Sequence, residues 1–303
     1  MPIIFDAKPD SGYNDLLPFR YHFPSNYRTI AEAGVGDWIV FRKPRRGRGA
    51  PGYFAVARLT ALEPDPHDKG SSYAILDGFL DFADIVPQNR ADGRPYEEIL
   101  RSVPQTGRGV AIQGKSVRPI STSDFAAIVK AGLGDVFDPA NSVKLELDPA
   151  HCDQETRTLL DAPAAEQERH IKQILLNRKI RDAAFRSAVC SAYDDTCAVT
   201  GLKIVNGGGK AEVQAAHIWA VKDGGPDIVQ NGIALSSTVH WLFDRGLISI
   251  SNEYRLLVSH NKVPSDLMRL FEKQMNRIRL PRLESHWPNT AYLRRQREAA
   301  LIE

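Results

Sequence analysis

The segment from residue 211 to residue 250 constrains the chain most, because it combines strand, turn and helix signals with several reactive side chains. Two runs in it, EVQAAHI and NGIAL, have the composition of β-strands, and a Gly-Gly-Pro loop separates them. The following SSTVHWLFDRG has apolar residues at helical spacing and ends at Gly246. The pattern predicts a strand–strand–helix unit with Ser236 or Ser237 as the helix N-cap.

Four side chains of this unit suggest hydrolytic chemistry. His240 and Asp244 are four residues apart, so on a helix they share one face and can bind one divalent cation, leaving positions for water and a phosphate oxygen. His217 on the neighbouring strand can take a proton from the attacking water. The amide of Asn231 can bond backbone groups across the loop and hold the histidine strand near the helix. Each residue alone is more often structural, but their combination in one unit favours a site.

The order of these residues resembles the ββα-metal motif of HNH endonucleases, in particular the restriction-type branch. The resemblance rests on AHI, NGIAL, H-x-x-x-FD-x-G and the preceding FRSAVCSAYDDTCAVTG, within roughly residues 181 to 260. It implies His217 as general base, Asn231 as the motif asparagine, and His240, also catalytic, with Asp244 as metal ligands. The implied cation is Mg²⁺, with Mn²⁺ as the alternative.

The sequence departs from that family's pattern at two positions. Many relatives have an acidic or histidine ligand just before the base, where this chain has Ala216. Many also carry paired cysteines for structural zinc, whereas CAVT contains only Cys197, so we expect no structural zinc.

A basic segment, RKPRRGRG, lies between two strand-like runs, GDWIVF and GYFAVARL, which together predict a β-hairpin. Proline and glycine prevent a regular helix there. The segment is either a solvated hairpin tip or a loop that contacts DNA phosphates. The candidate phosphate-binding residues are Arg42, Lys43, Arg45, Arg46 and Arg48.

Aromatic residues cluster in the sequence just before this basic segment. They form either the core of a small barrel or a pocket for a base taken out of the DNA stack. SNY at 25 to 27 and GDWIVF at 36 to 41 resemble EVE domains of the PUA superfamily, which implies a modified-base reader. The candidate pocket residues are Tyr21, Phe23, Asn26, Tyr27 and Trp38.

These observations predict an α+β protein. We expect a PUA/EVE-like β-barrel over 1–140, a helical linker over 141–180 and a ββα-metal HNH nuclease domain over 181–303. SYAIL and GVAI are expected to add strands to the barrel, and SDFAAIVKA to form a capped helix. Apolar residues at helical spacing between 164 and 193 predict one long or two shorter helices.

Composition excludes several other classes of protein. A hydrophobic content of 43% with 25% charged residues is ordinary for a soluble globular protein, and no apolar run is long enough for a membrane span. The first residues lack the layout of a secretory signal, so we expect a cytoplasmic protein without a membrane partner. Three cysteines without a CxxC pair are expected to be buried thiols.

The combined resemblances predict a metal-dependent DNA endonuclease of the restriction type that cuts double-stranded DNA containing 5-methylcytosine or 5-hydroxymethylcytosine. A homodimer is expected because one ββα site cuts one strand. Two alternatives stay open. One is a restriction endonuclease that reads unmodified sequence, and the other, left open by Ala216, is a nucleic-acid-binding protein with an inactive HNH fold.

Overall fold

The computed structural model describes residues 1–8, 12–45, 51–207, 209–259 and 263–302. The chain forms two compact units. The N-terminal unit comprises Met1–Asp138 and Asp153–Arg181, and the C-terminal unit comprises Pro139–Cys152 and Asp182–Glu303. The segment 141–180, expected to be a linker, is thus divided between the two units. No helix among the described residues is long and apolar enough to cross a membrane.

The N-terminal unit is built on one six-stranded sheet, curled into a half-barrel. Its strand order is β2-β5-β4-β3-β1-β6, with β1 and β3 parallel and the other neighbours antiparallel. The strands are β1 (Ile3–Asp6), β2 (Arg20–Pro24), β3 (Trp38–Lys43), β4 (Gly52–Pro64), β5 (Ser71–Val86) and β6 (Val117–Pro119). In the described residues β2 and β6 are edges and do not pair, so the sheet is an open half-barrel where a β-barrel was predicted.

The predicted hairpin is formed by β3 and β4, which pair from Trp38 opposite Arg58 to Lys43 opposite Gly52. The predicted run SYAIL lies within β5. The prediction for GVAI is wrong, because its first three residues belong to a short helical turn, Arg108–Ala111, that ends at Ile112, and Val110 is 72% exposed. An apolar run of four residues does not by itself distinguish a strand from a turn of helix.

The clustered aromatic residues of the N-terminal unit lie in its core. Tyr21, Phe23 and Trp38 are all less than 5% exposed. The ring of Tyr21 stacks on Phe5 with 4.8 Å between centroids. Tyr21 also lies beside Phe23, with 6.3 Å between ring centroids, so the burial of these two rings fits a role in core packing. Asn26 is exposed and Tyr27 is half-buried.

Short helices complete the N-terminal unit, and a longer one, α9, carries the chain into the C-terminal unit. They are α1 (Arg28–Glu32), α2 (Glu98–Arg101), α3 (Arg108–Ala111), α4 (Thr122–Gly132), α5 (Gly134–Phe137), α6 (Gln154–Asp161), α7 (Ala164–Arg169), α8 (Ile171–Leu176) and α9 (Arg178–Ala192). The capped helix α4 is as predicted, with Ser121 as its N-cap. Three helices occupy 164–193 where one or two were predicted. The last two are separate because Asn177 is extended and caps α9, its Oδ1 accepting from the Ile180 amide.

The described residues of the C-terminal unit form two small antiparallel sheets and three further α-helices. Strand β7 (Gln214–His217) pairs with β8 (Gly232–Leu235), and β9 (Ile248–Ile250) pairs with β10 (Leu256–Val258). The helices are α10 (Ser237–Asp244), α11 (Ser265–Phe271) and α12 (Thr290–Ala300). The predicted strand–strand–helix order is therefore confirmed as β7, β8 and α10.

Two of the three cysteines are buried in this unit, as expected for structural thiols. Cys190 and Cys197 are buried and Cys152 is half-buried, and none forms a disulfide. Burial raises the pKa of the Cys190 thiol to about 11, so it stays protonated and unreactive at neutral pH.

Candidate active site

The antiparallel pairing of β7 and β8 brings the two ends of the motif's first loop together. His217 at the end of β7 lies opposite Gly232, the first residue of β8. Gly232 leaves room for helix α9 here, because an added Cβ would lie 2.2 Å from Val189 Cγ2 and 3.0 Å from the Phe185 ring. The absence of a side chain thus lets helix α9 approach the hairpin closely.

His240 and Asp244 form a pair on one face of α10, as the spacing predicts. His240 Nε2 lies 3.3 Å from Asp244 Oδ2, and the carboxylate is half exposed. On the other side of the ring, His240 Nδ1 lies 2.8 Å from Gln214 Oε1. An amide oxygen only accepts, so the proton is on Nδ1 and the lone pair of Nε2 faces the carboxylate.

The pKa of His240 is below its ordinary value. Burial is the main cause, the charges of His217 and Arg186 add to it, and Asp244 opposes it. A neutral imidazole beside an ionised carboxylate places two acceptor atoms next to each other with no proton between them. This donor set fits a divalent cation, which His240 Nε2 and the Asp244 carboxylate would hold.

His217 is held by a buried carboxylate that the sequence analysis did not identify. Its Nε2 lies 3.0 Å from Asp227 Oδ1, and Asp227 is almost fully buried. The imidazole stacks on Phe185 with 3.8 Å between ring centroids and 7° between planes. Because an ionised carboxylate only accepts, Nε2 carries the proton and Nδ1 is the basic nitrogen. An aspartate in the loop of a histidine-bearing hairpin was the only available signal for this partner.

Asn231 is fully buried and binds the loop that links the two strands. Its Nδ2 donates to the carbonyls of Trp219 and Pro226, and its Oδ1 accepts from the Trp219 amide. The sequence predicted hydrogen bonds from the Asn231 amide to backbone groups across the loop, and these are the bonds observed. They fix the loop that carries Asp227 and so contribute indirectly to the orientation of His217.

Ala216 is fully buried next to His217. In the part of the chain that the structure describes, no group of three His, Cys, Asp or Glu side chains is placed to hold a metal ion.

The N-terminus of α10 is capped in a way the sequence did not predict. Ser236 is at the N-cap position, but its side chain makes no capping bond. Instead Glu212 Oε1 accepts from the Ser237 amide at 2.8 Å. The carboxylate interacts favourably with the helix dipole and couples α10 to the segment before β7.

The residues predicted to contact DNA are in different environments. Arg42 belongs to β3, is 2% exposed, and binds the carboxylate of Asp6 and the amide oxygen of Gln88. In this arrangement it is an internal ion-pair residue, unable to reach a phosphate. Lys43 is half-buried and Arg45 is exposed. The predictions for Arg46 and Arg48 lie outside the described residues.

Comparisons with known proteins identify the C-terminal motif. The family model HNH_2, described as HNH endonuclease, matches residues 197–251. No curated protein matches the chain.

Several solved structures are partly similar to the chain, among them two restriction endonucleases. "Modification dependent TagI restriction endonuclease" is 23% identical over 38% of this chain and 36% of its own length, with a TM-score of 0.32. "Type IV phosphorothioation-dependent restriction endonuclease ScoMcrA" is 17% identical over 99% of this chain and 57% of its own length, with a TM-score of 0.23. The chain thus corresponds to only part of each of these longer proteins.

Proposed function

We propose that the chain, whose residues 197–251 are an HNH endonuclease domain, is a divalent-metal-dependent endonuclease that cuts double-stranded DNA. One observation carries this proposal. A carboxylate-bound histidine, His217, lies on the same ββα unit as the neutral imidazole–carboxylate pair of His240 and Asp244. This combination supplies a base and a cation site for hydrolysis of a phosphodiester.

His217 is the proposed general base. Its Nε2–H donates to Asp227, which leaves Nδ1 to take the proton of the attacking water. The Asp227 carboxylate stabilises the imidazolium that forms, and Phe185 fixes the plane of the ring. Asn231 positions this pair by holding the loop.

The proposed cation site is His240 Nε2 with Asp244. Gln214 fixes the ring and tautomer of His240, in the way that outer partners commonly orient metal-binding histidines. A bound Mg²⁺ or Mn²⁺ would neutralise phosphate charge and polarise the scissile bond.

For the target, we propose DNA with 5-methyl- or 5-hydroxymethylcytosine, selected by the N-terminal unit. The support is the sequence resemblance of SNY and GDWIVF to EVE domains of the PUA superfamily. Asn26 and Tyr27 of that motif are accessible to a ligand. A second candidate is selection of unmodified sequence, which is favoured by the burial of Tyr21, Phe23 and Trp38.

We also propose that two copies act together, since one site of this kind cuts one strand. The test is a plasmid time course that measures how fast nicked circles convert to linear DNA. A conversion rate that rises with protein concentration would support this proposal. A conversion rate independent of protein concentration would contradict it.

The test of the endonuclease proposal is cleavage of a supercoiled plasmid with Mg²⁺ or Mn²⁺. Cleavage should stop in EDTA. Asp244→Asn should require more metal, because a neutral amide binds a divalent cation more weakly than a carboxylate. Asp266→Asn, at a carboxylate 88% exposed on α11, is the matched control. No cleavage with any divalent metal, but retained DNA binding, would instead support the binding protein with an inactive HNH fold.

A further inference from the structure

A cleft with a volume of about 340 Å³ lies in the C-terminal unit beside the candidate active site. Gln214, which binds His240, forms part of its lining. Arg186 and Lys210 supply positive charge to the lining, and Glu146 and Glu212 supply negative charge. The carboxylate of Glu212 is already used by the cap of α10.

Glu146 bridges the two basic side chains of the cleft. Its Oε1 lies 3.3 Å from Arg186 Nη1 and 3.4 Å from Lys210 Nζ. Its backbone has φ of 60°, a left-handed conformation that is unusual for a residue other than glycine, asparagine or aspartate. A carboxylate on a strained backbone is thus placed between two cations from distant parts of the chain.

Arg186 is fixed in position independently of Glu146. Its Nη2 donates to the carbonyl of Val213 at 3.1 Å, and Val213 directly precedes Gln214. Arg186 also follows Phe185, the residue that stacks on His217. The guanidinium is therefore connected through neighbouring residues to both histidines of the active site.

A guanidinium and an ammonium that share one oxyanion are a common arrangement for holding phosphate. We propose that Arg186 and Lys210 bind a second backbone phosphate of the DNA, and that the Glu146 carboxylate occupies this phosphate site in the free protein. The proposal rests on the proposed DNA substrate. DNA binding must displace Glu146, so this residue competes with the substrate and lowers affinity.

Binding of a fluorescently labelled DNA duplex in EDTA, followed by anisotropy over a series of salt concentrations, tests the proposal without cleavage. Glu146→Gln should bind about two- to fivefold more tightly at low salt, which corresponds to loss of a partly exposed ion pair. Lys210→Ala should lower the log–log salt slope by about 0.9, the value for one phosphate contact. In the Glu146→Gln background, Lys210→Ala should remove the gain in affinity.

Asp194 and Lys203 provide the matched control, because they form another carboxylate–ammonium pair of this unit, with an N–O distance of 2.9 Å. Asp194→Asn and Lys203→Ala should leave both affinity and salt slope unchanged. Glu146→Asn is a second variant, suited to the left-handed backbone, in case the glutamine variant folds poorly. Circular dichroism establishes that each variant is folded.

Unchanged affinity in both folded Glu146 variants, with an unchanged salt slope in Lys210→Ala, would overturn the phosphate site. The phosphate site would also be overturned if Glu146→Gln bound DNA like the wild type but lost Mg²⁺-dependent cleavage. That result would make Glu146 a metal ligand instead. A wild-type chain that binds no duplex at any salt concentration would refute the proposed function, and this inference with it.

Discussion

At the scale of single residues, the contacts of His217 decide what its side chain can do. Asp227 and Phe185 hold the ring from its edge and from its face. A histidine held in this way keeps one nitrogen available for proton transfer. Because its ring is already oriented, it loses little conformational entropy during the reaction. Asp227 is therefore a positioning residue in the proposed mechanism, and His217 is the catalytic one.

The first prediction separates these two roles. His217→Ala should lower the cleavage rate by about 10²- to 10⁴-fold, because the general base is lost. Asp227→Asn should lower kcat by about 10²-fold with little change in KM, since the base remains but is less well oriented. Both variants should bind duplex DNA like the wild type. Asp223→Asn, at an exposed residue of the same loop, is the control, and a His217→Ala protein that cuts at the normal rate would refute the assignment.

The second prediction concerns the basic segment, whose residues differ in burial. Arg42→Ala should destabilise the fold by about 3 kcal/mol, because it leaves the largely buried carboxylate of Asp6 with fewer partners. Lys43→Ala and Arg45→Ala should change stability by less than about 0.5 kcal/mol. If they contact phosphates, each should lower the salt slope of DNA binding by about 0.9.

Urea unfolding and salt-dependent binding measure both effects in the same proteins. A stable Arg42→Ala protein with weaker DNA binding would contradict the structural role of Arg42. An unchanged slope in the Lys43 and Arg45 variants would make the segment a solvated hairpin tip.

At the scale of elements, the contact between α9 and the β7–β8 hairpin helps to align His217, the proposed base. Phe185 and Val189 on α9 reach the hairpin because Gly232 has no side chain. The close approach places the Phe185 ring flat against His217. The distance between a helix and a strand pair thus determines the orientation of the proposed general base.

The third prediction tests this packing. Gly232→Ala should cost about 1 to 3 kcal/mol of unfolding free energy, because the added methyl overpacks the contact. It should also slow cleavage, since Phe185 must move away from His217. Gly207→Ala is the control, because no atom lies within 4 Å of its added Cβ. Denaturant unfolding with wild-type stability in Gly232→Ala would contradict the close packing.

At the scale of the whole molecule, we propose that the C-terminal unit cleaves the DNA and that the N-terminal unit selects the target. The contacts of a nuclease site are mainly to phosphates, which carry no sequence information. Selection must therefore come from other surfaces of the chain. With Tyr21, Phe23 and Trp38 in the core, the accessible residues of the resemblance are Asn26 and Tyr27.

The fourth prediction compares cleavage of two identical amplified fragments, one with 5-methylcytosine and one with plain cytosine. We expect preference for the modified fragment, of about fourfold if only one buried methyl group contributes its roughly 0.8 kcal/mol. Tyr27→Ala should remove the preference while cleavage persists. Trp38→Ala is unsuitable for this purpose, because truncating a buried tryptophan costs about 3 to 5 kcal/mol.

Equal cutting of both fragments would favour an endonuclease that reads unmodified sequence. A fragment made with 5-hydroxymethylcytosine extends the comparison, because its hydroxyl adds a hydrogen-bonding group at the same position. A strong preference between the two modified fragments would indicate a polar contact to the base.

The sequence by itself determined the strand–strand–helix unit and the pairing of His240 with Asp244. Both depend on residues close together in the chain, where helical spacing and turn composition specify geometry directly. Only the tertiary structure decided that Arg42 is internal and that Asp227 holds His217. It also decided that Glu146 meets Lys210, which is 64 residues away in sequence. Contacts of this kind depend on which faces of separate elements are buried together, and no local periodicity encodes them.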